Sequence, residues 1–534
     1  MTPTPLRTSL TVTVPEPRSS LTVAEYGDFP TPIELAQEIL GTLGPIGEKW
    51  TRVLEPTCGD GAFIHALVEH PQPPKEIFGI EVQGDRFVGG PPQLSTPQTR
   101  VTVANADILR ADLRRLLKWS TKGPLLVVGN PPWVTTAELA RMGAANVPTK
   151  TNSRNLKGFE AMSGVSNFDL AEYIWIKLLR DLYPLNPSIA LLCKTTVARN
   201  VIRYAQQERL SVYDGSMRMI DAHLWFGVSA PACLFTLHVG HGAPDYTIRV
   251  YDSLDAPLPS ALIGIVNGHL VPDVARYQKV SASEGTFPFE WRQGIKHDAA
   301  AVMELVLEPD GGLYNRLGEL VDVESEFVYP LLKSSDLGSD RPKDIQRRVI
   351  VTQKKSGEDT TVLRADAPKL WAYLQGHRAI FEARKSRIYL GGPPFAMFGV
   401  GPYSFSPCKV AISGMYKKAV FRAIGQIDGR PVMLDDTCYF VPTEDPMSGA
   451  VLAALLNSDP ALDFFEAVTF YDQKRPVTKG LLQRVNLESV WDKVEPRSIA
   501  RRAEILIPGL RGAPTAPAPR PPSNYSEFVR RLLG

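Results

Sequence analysis

In this 534-residue chain, the stretch Gly129-Asn130-Pro131-Pro132-Trp133 constrains a reaction more tightly than any other. Two consecutive prolines fix φ and remove two backbone donors. That leaves the Asn130 side-chain oxygen and the Pro131 carbonyl as acceptors at set positions, with the Trp133 ring beside them. A planar amine in such a slot gives one N–H to Asn130 and one to Pro131. Its ring stacks on Trp133, a contact worth roughly 1–3 kcal/mol. Donating both hydrogens draws the nitrogen toward tetrahedral geometry and turns its lone pair toward an electrophile. The plain competing reading is a rigid proline turn with no chemistry.

The electrophile needs a site of its own. Upstream, Leu54-Glu55-Pro56-Thr57-Cys58-Gly59-Asp60-Gly61-Ala62-Phe63 reads as a strand, a glycine turn and a helix start. That arrangement lets a ligand approach the backbone at a helix N-terminus. Ile64 stands where a dinucleotide motif has its third glycine, and Glu55 precedes the turn. A negative charge there repels a pyrophosphate and suits a cation such as S-adenosylmethionine. Glu81 closes the next strand, in the place of an acid that accepts ribose hydroxyls. Asp107 follows the third, within reach of an adenine amino group. Singly, each is equally a tight turn or a solvated strand end. In series they stand at the C-terminal ends of successive strands and converge on one crevice.

The elements that must position these residues form an α/β array. Short apolar runs predict strands over Arg52–Leu54, Ile77–Ile80, Val101–Ala104, Leu125–Val128, Ser188–Cys193 and Cys233–Val239. Helices are predicted over Thr31–Leu43, with Thr31 as N-cap before Pro32, and over Ala62–Glu69 and Phe168–Leu182. Alternating strand and helix implies a parallel sheet. The expected organisation is a flexible tail over 1–20, a catalytic domain over 21–250, an α+β domain over 251–508, and a Pro/Ala-rich linker and tail over 509–534. Within that tail Tyr525–Leu533 can form one amphipathic helix.

With these motifs in this order, the chain resembles the amino-group DNA methyltransferases of the N6-adenine type. Phe29-Pro30-Thr31-Pro32 comes first, then the Glu55–Gly61 turn, Glu81, Asp107 and the Asn-Pro-Pro-Trp loop, with the basic half last. That is the gamma arrangement, similar to the thermophilic TCGA-methylating enzymes. Asn167-Phe168-Asp169-Leu170 resembles the family's next motif, in a helix flanking the cofactor pocket. Asp221-Ala222-His223-Leu224-Trp225-Phe226-Gly227 falls where the family places an aromatic against the flipped base, and Phe226 is chosen over Trp225. Tyr329–Asp336, Phe398–Tyr403, Ser413–Lys418 and Tyr471–Thr478 look like parts of a recognition domain.

The resemblance implies a Rossmann-like class I S-adenosylmethionine-dependent methyltransferase sheet followed by an α+β target-recognition domain. It implies catalysis by Asn130, Pro131, Pro132, Trp133 and Phe226. Cofactor binding would fall to Thr31, Glu55, Thr57, Gly59, Gly61, Glu81, Asp107 and Asn130. No metal is required. The partner would be double-stranded DNA, with the target base flipped out, and a cognate restriction endonuclease or defence-system subunits could accompany the enzyme. A cytoplasmic monomer is expected.

Composition agrees. The chain is 44% hydrophobic and 22% charged, as in an ordinary globular protein, and has no apolar run long enough to span a membrane. Five scattered cysteines form no C-x-x-C pair, which fits a reducing compartment and gives no zinc spacing. Net charge is +2, yet residues 331–420 hold 16 Lys and Arg against 7 Asp and Glu, a local +9. Such a segment is the footprint of polyanion binding or simply a solvated face. Lys333, Arg341, Lys343, Arg347, Arg348, Lys354, Lys355, Lys417 and Lys418 are the candidate phosphate contacts. Four other readings stay open: methylation of cytosine N4, methylation of RNA or protein glutamine, a DNA-binding subunit without catalysis, and an oxidoreductase that rests on the glycine turn alone. A cytosine-C5 enzyme is excluded, because Pro407-Cys408 lies far from the cofactor motifs.

Overall fold

The computed structural model describes residues 29–84, 94–134, 169–240, 242–338 and 345–506, the Arg387 side chain excepted. The two tails expected at 1–20 and 509–534, the helix at Tyr525–Leu533, and Asn167, Phe168, Arg341 and Lys343 lie outside those residues. The chain divides into two compact units, Met1–Val274 and Ala275–Gly534.

The first unit is built on one ten-stranded sheet. Its strands are β1 (Arg52–Glu55), β2 (Glu76–Glu81), β3 (Arg100–Asn105), β4 (Leu125–Gly129), β5 (Ser188–Lys194), β6 (Val212–Ile220), β7 (Ala232–Val239), β8 (Ile248–Tyr251), β9 (Ala261–Val266) and β10 (His269–Val271). Their order is β10-β9-β8-β6-β7-β5-β4-β1-β2-β3. From β3 to β5 neighbouring strands are parallel, and β7 runs antiparallel to both β5 and β6. This is the Rossmann-like α/β sheet that the sequence implied. β4 is buried along its whole length, as a central parallel strand covered on both faces must be. Its residues are accordingly apolar up to Gly129.

Five helices matter for the site: α1 (Ile33–Leu43), α2 (Ala62–Val68), α3 (Leu170–Leu182), α4 (Thr195–Gln207) and α5 (Ala222–Phe226). Leu35, Ile39, Phe63 and Leu67 from α1 and α2 share one core with Val53, Ile77 and Leu126 of the sheet. Where the sequence suggested a boundary near 250, β8, β9 and β10 carry the same sheet on to Val271. Short, half-exposed strands near one edge of the sheet carry little apolar signal, which is why the texture of the sequence changes there. β6 also escaped the sequence reading. It carries Asp214, Gly215 and Arg218 and breaks register between Tyr213 and Ser216, so it shows no clean alternation.

The second unit is α+β, as expected. A five-stranded sheet, over residues 304–350 with Met433–Leu434, and a four-stranded one, over 292–293 and 408–443, make its framework. The helix Pro446–Leu456 is buried almost all round, and Asp445 caps it by accepting the Ser448 N–H. All five cysteines are buried thiols. Among the described residues no helix is long and apolar enough to cross a membrane.

One buried acid makes stability depend on pH. Glu172 on α3 is pushed up to about 7, chiefly by burial and also by nearby Asp169; Asn200 and Arg203 oppose the shift. Between about 4.5 and 7 the folded state therefore holds a proton that the unfolded chain has lost, so stability falls as pH rises through that window. Above it the cost is complete, up to about 3 kcal/mol. Glu172→Gln keeps an acceptor for the Asn200 amide (2.8 Å) but carries no charge. The variant should melt above wild type at pH 8 and lose that advantage toward pH 4.5. Thermal melts at both pH values check this, and an equal difference at both would refute it.

Candidate active site

The strand order reverses between β1 and β4, and both strands end against a cleft of about 680 Å3. In open α/β sheets ligands bind at this switch point. Thr57, Gly59, Glu81, Asp107, Asn130 and Pro131 all reach its wall. The glycine turn is held to β2 by the Cys58 N–H on the Ile80 carbonyl (2.9 Å). Gly59 and Gly61 have φ of 51° and 82°, in the left-handed region that favours glycine. Gly61 leads directly into α2 and is not itself on the wall.

Glu81 accepts the Gly59 N–H at 2.8 Å on one oxygen and the Gln83 N–H at 2.9 Å on the other. Each oxygen keeps a lone pair for a ligand. Burial nevertheless holds its pKa above the usual carboxylate range. Asp107 accepts the Leu109 N–H at 2.9 Å. Val82, Ile108 and Ile174 supply apolar walls that the sequence motifs do not include. Their only signal in the sequence is position, directly after a strand-end acid or one turn into α3.

Glu55 departs from its expected place. It is 2% exposed and lies beneath the turn rather than on the cleft wall. Its carboxyl takes the Ile64 N–H, while Oε2 has no partner among the described residues. Burial first, and Glu81 nearby, push its pKa well above normal.

The Asn130 amide has a defined orientation. Nδ2 donates to the Phe29 carbonyl and to Thr31 Oγ1, both at 3.2 Å. A carbonyl cannot donate, so the nitrogen must face Phe29 and the oxygen must point away. That oxygen, Asn130 Oδ1, is buried and unpartnered among the described residues. Thr31 thus serves Asn130: it is neither on the cleft wall nor the helix cap, since Pro32 occupies the N-cap of α1.

Trp133 is 5% exposed, with Phe226 edge-on at 5.2 Å between ring centroids and Phe29 tilted at 6.1 Å. Trp133 is therefore buried among aromatic rings instead of standing open beside the loop. Phe226 joins this cluster, whereas Trp225 lines a surface groove with Glu38 and Asp221.

No family model matches the chain. The type II methyltransferase M.NspV of Nostoc sp. is 37% identical over 469 residues, spanning 88% of this chain and 97% of that protein. The chain belongs to the type II methyltransferases. Among solved structures, the type IIL restriction-modification enzyme MmeI, determined in complex with DNA, aligns with a TM-score of 0.51 at 12% identity. It covers 93% of this chain and 71% of MmeI, and the likeness is one of fold.

In this methyltransferase the basic run of the second unit is not a uniform surface. Lys333 donates to Glu304 at 2.6 Å, Arg347 to Asp336 at 2.5 Å and buried Arg348 to Asp428 at 2.8 Å. These three candidate phosphate contacts are spent on internal ion pairs. Lys354, Lys355, Lys417 and Lys418 are exposed and carry no ion pair among the described residues.

Burial alone would raise Glu304, but His297 and Lys333 outweigh it and bring the acid down to about 2. The stability this supplies is present above about 4.5 and is lost as pH falls toward 2. Lys333→Met should therefore destabilise the fold by roughly 1–3 kcal/mol at pH 7. The difference in melting temperature should close on acidification. Equal melting of variant and wild type at pH 7 would contradict the structural role.

Proposed function

We propose that this methyltransferase moves a methyl group from S-adenosylmethionine to the N6 amino group of an adenine flipped out of double-stranded DNA, as a gamma-class enzyme of a restriction-modification or phage-defence system. The reading is carried by Asn130 Oδ1, a buried acceptor that its own amide's partners aim away from Phe29 and leave unbonded. Glu55, whose Cγ is set against Gly129, holds a second buried oxygen with no partner among the described residues. A cationic ligand at this end of the sheet suits both acceptors. The placing of Glu81 and Asp107 on the cleft wall also fits S-adenosylmethionine.

When bound, that cofactor supplies a methyl group made electrophilic by its sulfonium. Glu81 would accept its ribose hydroxyls and Asp107 its adenine amino group. Asn130 Oδ1 and the Pro131 carbonyl would accept the two N–H groups of the target amine and turn its lone pair toward the methyl. Trp133 and Phe226 would hold the base between them. Flipping costs a few kcal/mol, and phosphate contacts from exposed lysines of the second unit would offset it. The relatives support this reading: one is named a type II methyltransferase, and the other was solved in complex with DNA.

Labelled methyl transfer to mixed-sequence duplex DNA, with the nucleosides resolved by mass spectrometry, tests this reading. N6-methyladenine is expected, with kcat falling roughly 100- to 1,000-fold in Asn130→Ala. N4-methylcytosine would correct the base, and unlabelled DNA would overturn the substrate. Phe226→Ala should weaken turnover by an amount equivalent to removing a stacking interaction of roughly 1–3 kcal/mol. For Lys417→Ala with Lys418→Ala, the slope of log affinity against log salt should become shallower by about 1 for each phosphate no longer neutralised. An unchanged slope would place the DNA elsewhere.

A further inference from the structure

The catalytic loop has an anchoring problem. Beyond Gly129 the chain leaves the sheet, and Pro131 and Pro132 have no N–H with which to bond a neighbour. The near end is held through the Asn130 amide. At the far end, Lys194 Nζ donates to the Trp133 carbonyl at 3.0 Å and to Asp169 Oδ2 at 2.9 Å. Asp169 uses its other oxygen to cap α3 through the Ala171 N–H (3.0 Å). The Leu170 N–H closes on the Val134 carbonyl at 2.9 Å. Leu170 and Ile174 of that helix line the cleft.

Lys194 is well placed for this. It is the last residue of β5, pairs with Ala232 across β7, and is followed by the Thr195 N–H on the Pro231 carbonyl. Its ammonium is thus anchored to the sheet. The side chains of Lys194 and Asp169 are 27% and 13% exposed, so solvent screens the pair only in part. One cation joins the end of β5, the end of the loop and the start of the helix that walls the cleft.

We propose that Lys194 is a positioning residue for methyl transfer: by pinning the Trp133 carbonyl to the cap of α3, it sets the distance between the loop that holds the amine and the wall that holds the cofactor. This rests on the function proposed above. Lys194→Met removes both donors, whereas Lys194→Arg retains them. Asp169→Asn keeps the cap acceptor while removing the charge.

The experiment compares wild type with these three variants in steady-state DNA methylation, S-adenosylmethionine binding by calorimetry, and hydrogen exchange of the peptide spanning Asn130–Val134. In Lys194→Met, kcat should fall at least about tenfold while cofactor Kd and DNA KM stay within about threefold. Exchange at Trp133 and Val134 should rise while the β1 peptide is unchanged. Lys194→Arg should recover most of the turnover, and Asp169→Asn should shift in the same direction as Lys194→Met. The proposal is overturned if Lys194→Met turns over within about twofold of wild type, if its loop exchange is unaltered, or if kcat and cofactor affinity fall together without rescue by Arg. Should wild type leave DNA unmethylated, the functional reading fails on its own, and the exchange data still decide whether the clamp exists.

Discussion

A backbone carbonyl can accept a hydrogen bond but never donate one, and the Phe29 carbonyl faces the Asn130 amide. Reversing that amide would set two oxygens against each other, so the acceptor of the loop has one available direction. The arrangement joins residues 101 positions apart. It exists only because α1 docks against α2 and the sheet and carries Phe29 and Thr31 to the end of β4. Packing far from the reacting atoms thereby sets the direction of one buried oxygen.

The electrostatics of the same sheet end follow from burial. Glu81 is out of water but receives the backbone N–H groups of Gln83, Gly59 and Val82, which offset part of the desolvation. Glu55 receives one and, among the described residues, keeps an unpartnered oxygen, a costly state in a dry interior. Glu55, expected beside the ligand from its place ahead of the glycine turn, is beneath the cleft and not on its wall.

The second unit shows why charge along a sequence is a poor map of charge on a surface. Residues 331–420 carry an excess of cations, but the acids that neutralise several of them come from elsewhere in the chain. Glu304 meets Lys333, Asp428 meets Arg348, and Asp322 meets Lys369. Lys409 is buried altogether. Among the described residues, exposed cations with no ion pair remain at Lys354, Lys355, Arg364, Lys385, Lys417 and Lys418, fewer than the count along the chain suggested.

By itself the sequence determined the central strands, the glycine turn, the strand-end acids and the Asn-Pro-Pro-Trp loop. These rest on local causes: continuous apolar runs, φ preferences and missing proline donors. The placing of Glu81 and Asp107 on one cleft followed from their position at successive strand ends. Only the tertiary structure decided which way Asn130 points, that Thr31 serves it rather than capping α1, and that Phe226 covers Trp133 where Trp225 does not. It also decided the extent of the sheet beyond residue 250 and the pairing of Lys194 with Trp133 and Asp169. Each of those depends on which distant residue fills a neighbouring position in space, and no local preference of the chain encodes that.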